Sequence, residues 1–223
     1  ACGAIPVYHG IVMELDRMNK ILELNEDSLY AVVQTGVRTS EVQEQCRRRG
    51  LLYAGDPCSA ESCQIGGNVA TNAGGNKAVK YGTTRNQIYG MKVVTPTGDI
   101  VDIGARLQKC STGYCLEQLF CGSEGTLGII TEITLKLRPL PPYKFDLVAI
   151  FKEDTQGFTL PNKLLKAGIE PTSIEYMDNE ALRICSAFCK VTLPHVDEGV
   201  CYVIVTVETF DEDELDRKME KAG

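Results

Sequence analysis

The first clear run of apolar positions, Leu29 to Gln34, is rich in β-formers and stops at Thr35-Gly36, which predicts a buried strand. Ser40 and Gln43 follow at capping-box spacing, which predicts a helix to about Arg49. Met91 to Thr95 and Ile100 to Ile103 flank Pro96-Thr97-Gly98-Asp99 and predict a tightly turned β-hairpin. A short helix is expected over Tyr114 to Phe120. Ile129, Thr131, Ile133, Leu135 and Leu137 alternate with more polar positions, the period of a half-buried strand.

That strand runs into Arg138-Pro139-Leu140-Pro141-Pro142. Prolines donate nothing to a ladder and stiffen a linker, so the chain is divided there into residues 1–138 and 139–223. The second part predicts a strand at Leu147 to Phe151, a helix ending near Ala167-Gly168, and a strand at Ser173 to Met177. A helix capped by Asp178 and running towards Cys189 comes next, then a strand at Cys201 to Glu208 and an acidic helix starting at Asp211. This β-α-β-α-β-α order implies an α+β layer, of which a ferredoxin-like arrangement is the simplest version.

Composition narrows the function classes. A chain of 223 residues with 43% apolar content is long enough to bury a sizeable core. The formal net charge of -7, with acidic residues concentrated again at Asp211 to Asp216, offers no electrostatic footprint for nucleic acid. No apolar run reaches the length of a membrane span and no signal pattern opens the chain, so a cytoplasmic location without a transmembrane segment is expected. Of the ten cysteines, Cys58 and Cys63, Cys110 and Cys115, and Cys185 and Cys189 are spaced four or five apart, which fits neither C-x-x-C zinc sites nor ferredoxin runs. Reduced thiols and no metal site are expected.

The chemistry concentrates in glycine. Ile65-Gly66-Gly67-Asn68-Val69-Ala70-Thr71-Asn72-Ala73-Gly74-Gly75-Asn76 has glycine pairs at both ends with small and amide residues between. Such a loop lets a ligand approach the backbone, exposes amide N–H groups to a diphosphate, and gives Asn68 and Asn72 a chance to donate to phosphate or ring oxygens. The spacing is neither the Rossmann G-x-G-x-x-G nor a P-loop. Gly122-Ser123-Glu124-Gly125-Thr126-Leu127-Gly128-Ile129-Ile130-Thr131 repeats the logic ahead of a strand, and Asp56-Pro57-Cys58-Ser59 could add a hydroxyl and a rigid turn. Each piece alone reads equally as a tight turn; together they suggest one shared ligand.

In their order, these segments resemble the flavin-binding domain of the vanillyl-alcohol-oxidase superfamily, in the branch of D-lactate dehydrogenases, the glycolate oxidase flavoprotein subunit and D-2-hydroxyglutarate dehydrogenase. Lys80-Tyr81-Gly82, Thr112-Gly113-Tyr114 and Leu119-Phe120 extend the match, as do Gly168-Ile169-Glu170-Pro171 and Glu175-Tyr176-Met177-Asp178 past the prolines, so that it covers roughly residues 4–210. The resemblance implies a PCMH-type FAD-binding domain followed by the start of a ferredoxin-like α+β cap, and FAD as cofactor. It carries over Gly66, Gly67, Asn68, Asn72, Gly74 and Gly75 as cofactor-binding residues. Glu124, Gly125, Gly128 and Ile130 join them from the second glycine segment, and Asp56, Ser59 and Ser62 from the polar stretch before the first. The family's first phosphate loop would precede Gly3-Ala4-Ile5-Pro6. Its catalytic histidine, metal ligands and carboxylate-binding arginine would follow Gly223, so no catalytic residue is assigned; His195, after Pro194, is read as a loop histidine.

What the resemblance implies is oxidation of a small 2-hydroxy acid, of glycolate or D-lactate type, with a base taking the hydroxyl proton and a hydride passing to flavin N5. Electrons would leave to an iron–sulfur subunit or an electron-transferring flavoprotein. Two other readings stay open: a non-redox flavoenzyme of the same fold, of the alkylglycerone-phosphate synthase type, and a cofactor-free truncated scaffold with no activity of its own.

Overall fold

The computed structural model describes residues 5–222; Gly3 and Ala4 lie outside them. The chain divides into two compact units, one up to Leu140 and one from Pro141.

The first unit is built on an antiparallel sheet. Its first strand, β1 (Ile21–Asn25), has no counterpart in the sequence reading, because Ile-Leu-Glu-Leu-Asn is only half-buried and gives no clean alternation. β2 (Tyr30–Gln34), α1 (Thr39–Arg47) and a two-residue strand β3 (Leu51–Leu52) follow. Then come α2 (Ile65–Thr71), α3 (Ala78–Tyr81), a 3-10 turn at Thr84–Gln87, and the hairpin of β4 (Ile88–Val94) and β5 (Ile100–Gly104). The expected Tyr114–Phe120 helix is shortened to α4 (Leu116–Phe120), and the unit ends in β6 (Ile129–Lys136) and β7 (Arg138–Pro139). The strand order is β1-β2-β6-β4-β5.

Period-two alternation decides which face is covered. Ala31 and Val33, Met91 and Val93, and Ile133 and Leu135 point to one side, where α1 adds Val42 and Cys46 and α2 adds Ile65 and Val69. Each of these larger apolar side chains contributes about 1.5–3 kcal/mol by burial. On the opposite side Lys92 and Glu132, direct cross-strand partners, form an ion pair at 3.0 Å.

Three local expectations are corrected. The Ser40/Gln43 capping box does not form: Arg38 is the N-cap residue and makes no side-chain cap bond. Gln43 instead donates to the Gly55 carbonyl at 2.7 Å, so its amide serves the next segment of chain. The first glycine segment is not an open loop, because Ile65–Thr71 is helical; Ile65 and Val69, one turn apart, pull it onto the core. Pro139 also joins a ladder, opposite Leu51, in a two-residue strand where its missing N–H costs little.

The second unit runs β8 (Tyr143–Phe151), α5 (Asp154–Lys166), β9 (Ser173–Met177), α6 (Asn179–Cys189), β10 (Cys201–Thr209) and α7 (Glu212–Ala222). β10 lies between β8 and β9 and is antiparallel to both. β8 and β9 are therefore parallel to each other, and β8-α5-β9 is the split βαβ unit of ferredoxin-like folds. Val203, Val205 and Val207 form the spine of its core with Leu164 and Ile169. Asp178 caps α6 as expected, accepting from the Ala181 N–H at 2.7 Å.

Candidate cofactor site

The two glycine segments, separated by some fifty residues of sequence, meet at the end of α2. The Gly122 N–H donates to the Val69 carbonyl at 2.9 Å and the Glu124 N–H to the Ala70 carbonyl at 2.8 Å, so the second segment is held on the carbonyls of the last turn of α2. Glu124 takes left-handed backbone angles to do so, with φ of 52°. The third piece meets the last residues of the first segment. Gly75 packs on the backbone of Asp56, where a Cβ would lie 2.1 Å from the carbonyl oxygen, and the Cys58 thiol donates to Asn76 Oδ1 at 3.4 Å.

The expected site residues separate by what surrounds them. Gly66 is glycine because Thr35 Cβ would stand 2.6 Å from any Cβ there, and Gly128 because Val93 and Val94 crowd it at 2.8 Å. The Ile130 side chain belongs to the core. Asn68 is buried, its Nδ2 donating to Thr39 Oγ1 at 2.7 Å. Asn72 has φ of 49° and turns the chain out of α2. Asp56 accepts from Gln43 Nε2 at 3.2 Å. The Ser62 hydroxyl donates to the Ser59 carbonyl, so this pair closes its own turn and makes no hydrogen bond to either glycine segment among the described residues. Gly125 serves its turn through a φ of 76°.

Gly67 and Gly74 differ from the rest. Neither has left-handed backbone angles, and a Cβ at either would meet nothing within 4 Å. Glycine inside a helix costs about 1 kcal/mol relative to alanine, and no neighbour in the chain calls for it at Gly67. Both are exposed, with open space where a side chain would stand, which is what backbone needs where a ligand comes close. The buried hydroxyls of Thr35 and Ser123, at the edges of the same region, have no hydrogen-bond partner among the described residues. A cofactor with an extended diphosphate fits these features.

Behind α2 the environment is dry. Burial pushes the Cys46 thiol up to about 11. It also holds the fully buried Tyr53 phenol above its ordinary value, with the thiols of Cys63, Cys121 and Cys46 nearby adding to the effect. Cys46 and Tyr53 are thus neutral packing groups. The described cysteines are all free. Among the described residues no group of three or more His, Cys, Asp or Glu side chains is placed to hold a metal ion, and no helix is long and apolar enough to cross a membrane. His195 lies in the second unit, its Nδ1 2.8 Å from Glu198 Oε1 and both side chains exposed.

The sequence reading missed the residues that bind the segments together. Thr83 and Asn86 form the capping box that Ser40 and Gln43 do not; their spacing of three was the available signal. Arg85 Nη2 donates to the Cys121 carbonyl at 2.8 Å, and no local pattern announces that contact.

Comparison with known proteins identifies the family. Residues 2–104 match the model of the FAD binding domain and residues 141–223 that of the C-terminal domain of FAD linked oxidases. The chain is 37% identical to a D-lactate dehydrogenase of Anaerostipes hadrus over 99% of its own length and 47% of that protein's. It is 38% identical to the glycolate oxidase subunit GlcD of Bacillus subtilis, over 90% of this chain and 43% of that one. A D-2-hydroxyglutarate dehydrogenase of Stutzerimonas stutzeri is 37% identical over 98% of this chain and 47% of its own. The chain thus spans about half the length of the curated relatives it matches. Among solved structures, an alkyldihydroxyacetonephosphate synthase superposes with a TM-score of 0.79 at 26% identity, over 93% of this chain and 39% of that one. The chain belongs to the FAD-linked oxidases, with FAD as cofactor and the vanillyl-alcohol-oxidase fold in its FAD-binding domain.

Proposed function

We propose that this chain is the FAD-holding part of a dehydrogenase that oxidises a 2-hydroxy acid of glycolate or D-lactate type to the 2-oxo acid. The observations that carry the reading are the docking of the Gly122–Gly128 segment on the carbonyls of Val69 and Ala70 and the open space at Gly67 and Gly74. Relatives named for D-lactate, glycolate and D-2-hydroxyglutarate support the substrate class. On this reading residues 1–138 form the FAD-binding domain and 139–223 the first part of the substrate-side cap. Gly67 and Gly74 let the cofactor lie against bare backbone. Gly66, Asn68, Asn72, Gly75, Gly128 and Ile130 build the platform under it, and Asp56, Ser59, Ser62, Glu124 and Gly125 line its margins. Bound FAD supplies the hydride acceptor. The chain's own residues hold it extended and exclude water from its buried side. An iron–sulfur subunit or an electron-transferring flavoprotein is the proposed electron acceptor.

A non-redox reaction is the second reading, favoured by the likeness to alkyldihydroxyacetonephosphate synthase. Anaerobic mixing of the FAD-loaded enzyme with glycolate, D-lactate and D-2-hydroxyglutarate separates the two. Bleaching of the flavin by one of them is expected; an oxidised spectrum with all three, in an enzyme that chemical reductants do bleach, would overturn the dehydrogenase reading.

A further inference from the structure

Asn72 stands where α2 ends, and its side chain is the point at which three segments are tied. Its Oδ1 accepts from the Thr83 hydroxyl at 2.9 Å and from the Arg85 N–H at 2.9 Å, and the Cys121 thiol donates to it at 3.7 Å. Around that oxygen the second glycine segment is docked through Gly122 and Glu124 on the carbonyls of Val69 and Ala70. Thr84 is docked on the Ala73 carbonyl through its N–H at 3.0 Å and its hydroxyl at 2.8 Å, and Arg85 reaches the Cys121 carbonyl.

Few residue types meet the demands of this position. The left-handed backbone favours glycine, asparagine or aspartate. The convergent donors need a side-chain acceptor, which excludes glycine. A carboxylate would accept them equally well but would set a negative charge beside the surface assigned to a cofactor that carries a diphosphate. Asparagine supplies the turn and a neutral acceptor with two lone pairs.

We propose that Asn72 is a positioning residue: it sets the register of the two glycine segments through Oδ1 and acts on the cofactor through them rather than by touching it. The proposal rests on the reading that FAD lies along Gly67 and Gly74.

The experiment is a double-mutant cycle with two readouts, FAD affinity by titration and amide hydrogen exchange of the FAD-free chain. Asn72→Gly keeps the left-handed turn and removes the acceptor; Thr83→Val removes one donor. Asn72→Gly weakens FAD binding about tenfold and Thr83→Val less, and the double variant is no weaker than Asn72→Gly, since Thr83 acts only through the missing oxygen. Thr83→Ser restores wild-type affinity. Exchange at Gly122 and Glu124 accelerates in both single variants, while Met91 and Val93 in the sheet stay protected. Additive losses of affinity would overturn the proposal by showing that Asn72 touches FAD on its own account. Unchanged exchange at Gly122 and Glu124 would overturn it too. Absence of FAD binding by the wild-type chain would instead refute the cofactor reading, and the exchange data would still decide whether Asn72 sets the register.

Discussion

Asn68 and Thr39 meet inside the protein, the amide Nδ2 donating to the hydroxyl oxygen at 2.7 Å with both side chains buried. Thr39 Oγ1 lies 3.2 Å from the Cys63 thiol in turn. The pair fastens α2 to α1, so that the glycine-rich helix is held from behind. Removing the amide leaves a buried hydroxyl short of a donor and opens a small cavity. Asn68→Ala should therefore cost about 2 kcal/mol in denaturant unfolding of the FAD-free chain. Thr39→Val should cost a similar amount, and the double variant less than the sum of the two.

The adjacent glycines Gly66 and Gly67 should respond to alanine with opposite signs. At Gly66 the new Cβ meets Thr35 at 2.6 Å, and the shift this forces should destabilise the FAD-free chain by about 1–3 kcal/mol. At Gly67 the Cβ meets nothing, and alanine should stabilise the helix by about 0.5–1 kcal/mol. Thermal unfolding of the two variants without FAD reads both signs at once.

Stability should fall in alkali through the buried thiol of Cys46. Its ordinary value of 9.0 is raised to about 11 in the folded chain, so the unfolded chain loses its proton first as pH rises. The contribution is fully present below about pH 9 and is lost between about 9 and 11, amounting to about 1 kcal/mol by pH 10. Unfolding at pH 8 and pH 10 should show this loss, and Cys46→Ala should reduce it; an equal loss in the variant would assign it elsewhere.

How far the sequence could be read depended on whether each signal was local. Strands β2, β4, β5, β6, β9 and β10 were legible because alternation and turn residues sit within a few positions of each other. The Asp178 cap was legible for the same reason, and Asp178→Ala should cost the second unit about 1 kcal/mol, measurable as faster amide exchange along α6. The glycine segment was read as an open loop and folds as a helix. Glycine and asparagine argue against helix locally, and only the packing of Ile65 and Val69 on the sheet overrides them. The Thr83, Arg85 and Cys121 ties were beyond reading, since nothing in the sequence says which segments meet across eleven to forty-nine residues.

On the proposed reading, FAD lies against the open backbone at Gly67 and Gly74. FAD titration of the purified chain, wild type against Gly67→Val and Gly74→Val, with unfolding of each FAD-free protein as control, tests it most directly. Saturable binding by the wild type is expected, weakened about tenfold or more by each valine, with little loss of stability where the Cβ meets open space. Binding of equal strength in all three proteins, or none in the wild type, would contradict it.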